Sequence, residues 1–133
     1  MTLTTAMIQE KLHHIFAAYP EAGFVYLFGS RARGEASPTS DYDIAVYLDE
    51  PSAQKRGELR MTLITDCMKA LGSNEIDLHI LNDMHTPELK YKIIAEGKLM
   101  FEREPYRVLI EPKIMNEYFD FSMMLQKYNF TKS

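Results

Sequence analysis

Val25-Tyr26-Leu27-Phe28-Gly29-Ser30-Arg31-Ala32-Arg33-Gly34 is followed, after a polar link, by Ser40-Asp41-Tyr42-Asp43-Ile44-Ala45-Val46-Tyr47-Leu48. The first stretch reads as an apolar strand running into a glycine-serine turn. The second reads as a strand that opens on two carboxylates. A Gly-Ser turn lacks the side-chain bulk that would block a phosphate chain, and it can present backbone N–H groups and a hydroxyl. Asp41 and Asp43 are two apart on a strand, so their side chains project from one face. Oxygen ligands so placed suit Mg²⁺ that also holds phosphate oxygens.

Outward from this centre, the chain has 133 residues, enough for one domain over 1–133 with its own core. A hydrophobic share of 46% and a charged share of 26% are ordinary for a globular protein. No run approaches the ~20 apolar residues of a membrane span, and the stretch from Met1 to His14 lacks a secretory pattern. The expected location is the cytoplasm. Cys67 is the single cysteine, which excludes an internal disulfide and reads as a small buried apolar residue. A net charge of −4 argues against an extended nucleic-acid surface. The basic pair Arg31 and Arg33 lies instead at the turn, where a small anion would be handled.

Periodicity supplies the other elements. Ile8, Leu12, Ile15, Phe16 and Tyr19 predict a helix from Thr4 to Tyr19, capped by Thr4 or Thr5. Phe24 to Phe28 and Tyr42 to Leu48 predict strands joined by a polar connection, Glu35 to Ser40, that contains Pro38. A helix is expected from Ala53 to Leu71, closed by Gly72. Glu75 to Leu81 alternates, with Ile76, Leu78 and Ile80 on one face and Glu75, Asp77 and His79 on the other. Pro87 starts a helix that runs to Glu96-Gly97, and Lys98 to Phe101 reads as an edge strand. After Pro105 the chain is helical to about Lys127, with Pro112 expected to break or kink it near Glu111. The fold class is α/β (α+β), a small mixed sheet flanked by helices.

Should the Asp77 strand lie beside the Asp41–Asp43 strand, three carboxylates share one polar face. Like charges at short range resist ionisation unless a cation lies between them. A pair of Mg²⁺ ions would satisfy all three and align an in-line displacement at an α-phosphate. His79 shares that face but reads as a partly solvated strand histidine. Glu75 reads as a solvated strand end, and His13, His14 and His85 as surface.

Gly29-Ser30, the ten residues Arg31 to Ser40, and Asp41-Tyr42-Asp43 match the G-S-x(10)-D-x-D signature of polymerase-beta-like nucleotidyltransferases. The chain resembles the minimal nucleotidyltransferases (MNT) of that superfamily from Met1 to about Glu102. Glu75-Ile76-Asp77-Leu78 supplies the third aspartate, and Tyr42, where an aliphatic residue is common, is expected to point into the core. The resemblance implies the polymerase-beta-like fold, with Asp41, Asp43 and Asp77 as catalytic residues and metal ligands. It implies ATP as substrate, two Mg²⁺ ions, and Gly29 and Ser30 on the β- and γ-phosphates. Arg31 and Arg33 lie within reach of the triphosphate; one is expected on phosphate and the other in a solvated salt bridge.

A chain this short shows no second domain to grip an acceptor. The resemblance implies that a partner supplies it. MNT proteins are commonly antitoxins that transfer AMP from ATP to a tyrosine of a HEPN ribonuclease toxin, and an oligomer with that toxin is expected. Two competing readings are an antitoxin that works by binding and occlusion, and nucleotidyl transfer to a small molecule such as an aminoglycoside. The C-terminal segment 105–133 carries more aromatic and Met side chains than one core stripe needs. It is either core or a partner surface.

Overall fold

The computed structural model describes residues 3–37 and 39–132, with backbone only at 130–132. Pro38 of the expected polar connection lies outside the described residues. Strands β1 (Ala22–Phe28), β2 (Tyr42–Leu48), β3 (Ile76–Ile80) and β4 (Lys98–Glu102) form one mixed sheet in the order β3-β2-β1-β4. β1 pairs antiparallel with β2 and β4, whereas β2 and β3 are parallel. A parallel neighbour requires a crossover, and helix α3 (Ala53–Leu71) makes it.

Helices α1 (Thr5–Ala17) and α3 cover one face. Leu12 and Phe16 of α1, Leu63 and Cys67 of α3, and Val25, Leu27, Ile44, Val46 and Leu78 of the strands form one buried cluster there. Burial pushes the Cys67 thiol up to about 12, so it acts as a small hydrophobe. Both helices begin with a side-chain cap, and that of α1 is the expected Thr4. Thr4 Oγ1 accepts from Met7 N at 3.2 Å and Ser52 Oγ from Lys55 N at 3.2 Å. Gly72 ends α3 in the left-handed region at φ 63°.

Between β1 and β2 lies the single turn α2 (Ser30–Arg33); helices α4 (Pro87–Glu96) and α5 (Tyr106–Lys132) follow later in the chain. α4 and α5 cover part of the second face, where Phe24, Tyr26, Ala45, Leu81 and Ile93 are buried together. α5 is tied to β1 by a polar network. Tyr26 Oη donates to Glu111 Oε2 at 2.6 Å, and Arg107 Nε donates to Glu111 Oε2 at 2.7 Å. Burial, with the Glu111 hydrogen bond, pushes the Tyr26 phenol up to about 12. The cluster reaches Ala45 and Tyr47 of β2 but includes no residue of β3, which leaves the part of the second face around Asp43 and Asp77 open. None of the helices among the described residues is long and apolar enough to cross a membrane.

The expected break does not occur: α5 is continuous through Pro112, which lies inside it. Proline at this position removes the N–H that would bond the Val108 carbonyl. Val108 is 71% exposed, so water can take that carbonyl and the helix need not end. Pro112→Ala restores the missing bond and should raise stability by up to about 3 kcal/mol. A higher urea midpoint at unchanged m-value would show it.

Candidate active site

The sheet register sets the site. Phe28 pairs with Asp43 across β1/β2, and Asp43 pairs with Asp77 across β2/β3. Adjacent strands are about 4.8 Å apart, so Asp43 and Asp77 stand side by side on the open part of the second face. Asp41 is exposed one residue before β2. Burial, then the negative charges of Asp77 and Asp41, hold the Asp43 carboxyl above its usual range against the opposing pull of His79, and the hydrogen bond that protonated Asp43 donates to Asp77 adds to this. The site is thus a crowded set of acids short of positive charge.

Gly29 adopts φ 73°, in the left-handed region. A Cβ there would also collide with Asp43 Oδ2. Two constraints, one of backbone and one of contact, therefore demand glycine where the turn meets the carboxylate. Ser30 opens α2, and the first N–H groups of a helix lie outside its own hydrogen-bond ladder. Gly29 accepts from Ala32 N and Arg33 N, both at 3.2 Å, which curls the turn around an open mouth.

The two arginines part company. Arg31 is only 6% exposed. Its Nη2 and Nε donate to the Ser40 carbonyl at 2.7 and 3.1 Å, and its guanidinium lies 3.8 Å over the Tyr42 ring. Tyr42 itself is buried in the α1/α3 core. Arg31 thus clamps the connection that leads into Asp41. Arg33 is exposed and pairs with Glu35 at 2.9 Å, a surface bridge worth little and easily exchanged.

Two further residues join the site, His79, which strand alternation had already put on the Asp77 face, and Lys92, which no sequence signal singled out. His79 Nε2 sits 3.1 Å from Asp77 Oδ2, and its ring lies 5.7 Å from that of Phe28. Lys92 of α4 and Arg33 line a cavity of about 190 Å³ beside Gly29, between α2 and α4. Lys92 carried no warning because only the packing of α4 brings it there. Glu75 is exposed just before β3, and its carbonyl accepts from Tyr42 N at 2.8 Å. His13, His14 and His85 are exposed.

No three His, Cys, Asp or Glu side chains among the described residues stand as a ready-made metal cage. Mg²⁺ needs none, because it binds through one or two carboxylates together with substrate phosphates and water. Hard oxygen donors whose mutual repulsion raises the Asp43 carboxyl fit such an ion.

Residues 10–106 match the Polymerase beta, Nucleotidyltransferase family. The chain belongs to that family. As a polymerase-beta nucleotidyltransferase it places a glycine-serine turn and acidic strand residues together on one sheet. No curated protein shows a significant sequence match to it. Among solved structures it resembles a toxin–antitoxin with AMP-PNP at TM-score 0.73 and 23% identity, over 92% of this chain and 96% of the other. It also resembles a tri-AMPylated Shewanella oneidensis HEPN toxin in complex with MNT antitoxin, at TM-score 0.67 and 21% identity. There the coverage is 95% and 96%. At these identities the likeness is one of fold.

Two substitutions test this geometry. Gly29→Ala strains the turn and pushes the Asp43 carboxylate aside. It should cost about 1–3 kcal/mol of stability, read as a lower urea midpoint, and weaken ATP binding measured by calorimetry. Asp43→Asn should make the protein more stable at neutral pH without metal. A carboxyl held above its unfolded pKa binds its proton more tightly when folded, so stability falls as pH rises through that window. The advantage of Asp43→Asn should therefore vanish once pH drops below the usual Asp pKa of 3.8, as thermal melts across pH would reveal.

Proposed function

We propose that this nucleotidyltransferase is the antitoxin of a HEPN/MNT pair, and that it transfers AMP from ATP to a tyrosine of its HEPN toxin. One observation carries the reading: a turn shaped for phosphate and two carboxylates lie in one row, Phe28-Asp43-Asp77, across three adjacent strands. The fold likeness to a toxin–antitoxin with AMP-PNP and to an MNT antitoxin bound to an AMPylated HEPN toxin supports the choice of nucleotide and acceptor.

The roles follow from position. Gly29 and Ser30 receive the β- and γ-phosphates. Arg33 releases Glu35 to meet them, and Lys92 adds positive charge from α4. Arg31 holds the Ser40 carbonyl and so steadies Asp41. Asp41, Asp43 and Asp77 would hold two Mg²⁺ ions, which would neutralise the carboxylates and polarise the α-phosphate. Asp77, on the far side of Asp43 from the turn, accepts the proton of the tyrosine hydroxyl. The tyrosine oxygen then bonds to the α-phosphorus, the bond to the bridging oxygen breaks, and pyrophosphate leaves toward Gly29. AMP on the toxin adds charge and bulk that keep RNA away. The place of action is the cytoplasm.

Incubation with α-labelled ATP, Mg²⁺ and the HEPN toxin should label the toxin, and chelation should abolish the label. Asp77→Asn should slow labelling by roughly 10²–10⁴-fold, the usual worth of a positioned acid or base. Toxin that stays unlabelled yet is neutralised in cells by the Asp41→Ala protein would establish occlusion instead. Labelling of an aminoglycoside in place of the toxin would move the acceptor to small molecules.

A further inference from the structure

The row across the sheet has a direction. The glycine-serine turn follows β1, Asp43 is on β2, and Asp77 is on β3. In-line displacement requires the acceptor to approach the α-phosphate from the side opposite the departing pyrophosphate. With the phosphates at Gly29 and Ser30, that side is β3 and whatever lies beyond it.

Beyond it lies a groove of about 290 Å³, lined by Ala53, Gly57, Arg60, His79, Asp83 and Met84 among others. β3 is an edge of the sheet, with no strand paired to its outer side among the described residues. His79 connects groove and site, because it lines the one and reaches Asp77 at 3.1 Å in the other. Position 79 lies two strand residues past Asp77, about 6.6 Å, which is close to the reach of a tyrosine side chain. The groove wall is pinned. Arg60 Nε donates to the Leu78 carbonyl at 2.9 Å, and Arg56 holds Asp83 at 2.6 Å.

Gly57 gives independent support. It is inside α3, where glycine is a poor helix former. Its φ is not in the left-handed region, and a Cβ at this position would meet nothing within 4 Å. Neither backbone nor packing within the chain therefore asks for glycine. Open space at this point of the groove is what an approaching chain would need.

We propose that the groove between α3 and the outer edge of β3 is the acceptor subsite, where the tyrosine-bearing segment of the HEPN toxin docks and passes its hydroxyl beside His79 to Asp77. This rests on the reading of the carboxylate row as a protein adenylyltransferase. Arg60 and His79 supply polar contacts to the segment, and Met84 an adaptable apolar one.

The test uses the full chain, α-labelled ATP with Mg²⁺, and the purified HEPN toxin. Gly57→Ala should fold as stably as the unsubstituted protein, since the added Cβ meets nothing within 4 Å, and it serves as the control for folding. Gly57→Met fits the open space but fills the groove. It should keep ATP affinity, measured calorimetrically, while the KM for toxin rises at least tenfold, and Ala53→Met should act in the same sense. Wild-type rates of toxin labelling by both Met variants would overturn the subsite. So would loss of ATP binding along with transfer, or a changed oligomeric state of the isolated protein with transfer unaltered. No labelling by the unsubstituted protein would overturn the adenylyltransferase reading itself, a result distinct from the others.

Discussion

The contact between the Gly29 main chain and the Asp43 carboxylate is the constraint on which the rest of the molecule depends. The glycine-serine turn and the acid must meet, yet they belong to different strands. Antiparallel pairing of β1 with β2 brings Phe28 level with Asp43. Only a residue without a Cβ, turned to φ 73°, can then follow Phe28 without displacing the carboxylate. The same close approach leaves Asp43 partly desolvated beside two other acids, with its proton affinity raised. Stability is given up where these acids crowd together, a cost that a cation between them would offset.

Around that contact the two faces divide the labour. α1 and α3 bury the apolar side of every strand except edge strand β4's outer residues, and their core includes the Tyr42 side chain that separates the two acids. α4 and α5 cover the other face over β1, β4 and the Ala45–Tyr47 part of β2. The uncovered part is where Asp43, Asp77 and His79 emerge. Arg31 joins the two faces, because its guanidinium lies on Tyr42 and holds the Ser40 carbonyl. An arginine next to a phosphate turn invites assignment to the phosphate. Burial at 6% exposure and two hydrogen bonds to one carbonyl show how much of its donor set is occupied within the fold.

α5 has two characters. Its first half is held by Tyr26, Glu111 and Arg107 and by the stack of Tyr118 on Tyr91 at 4.1 Å. Toward the C-terminus, Met123 at 68%, Met124 at 60% and Tyr128 at 55% are exposed on several sides. Of the apolar residues along α5, Ile114 is buried and Tyr106, Tyr118 and Phe121 are half-buried, whereas Met115, Phe119, Met123, Met124 and Tyr128 are exposed.

Much of this was legible in the residues alone. Strand β2, helix α3 with its Gly72 end, the proline start of α4 and the alternation of β3 are short-range properties. They are written in side-chain periodicity and in the backbone preferences of a few residues. The spacing from Gly29 to Asp43 likewise announced a turn and acids meant to meet. What no local pattern contains is the order of the strands and the packing of helices on them. Whether Asp77 lands beside Asp43 is decided by a parallel register closed through the whole of α3. The burial of Arg31 and the approach of Lys92 depend on neighbours further along the chain, whereas His79 and Asp77 share a face by their spacing alone. Pro112 shows the converse, since a residue that locally argues against a helix is carried through by tertiary contacts on one side and water on the other. Local physics chose the elements; long-range packing chose which of their side chains meet.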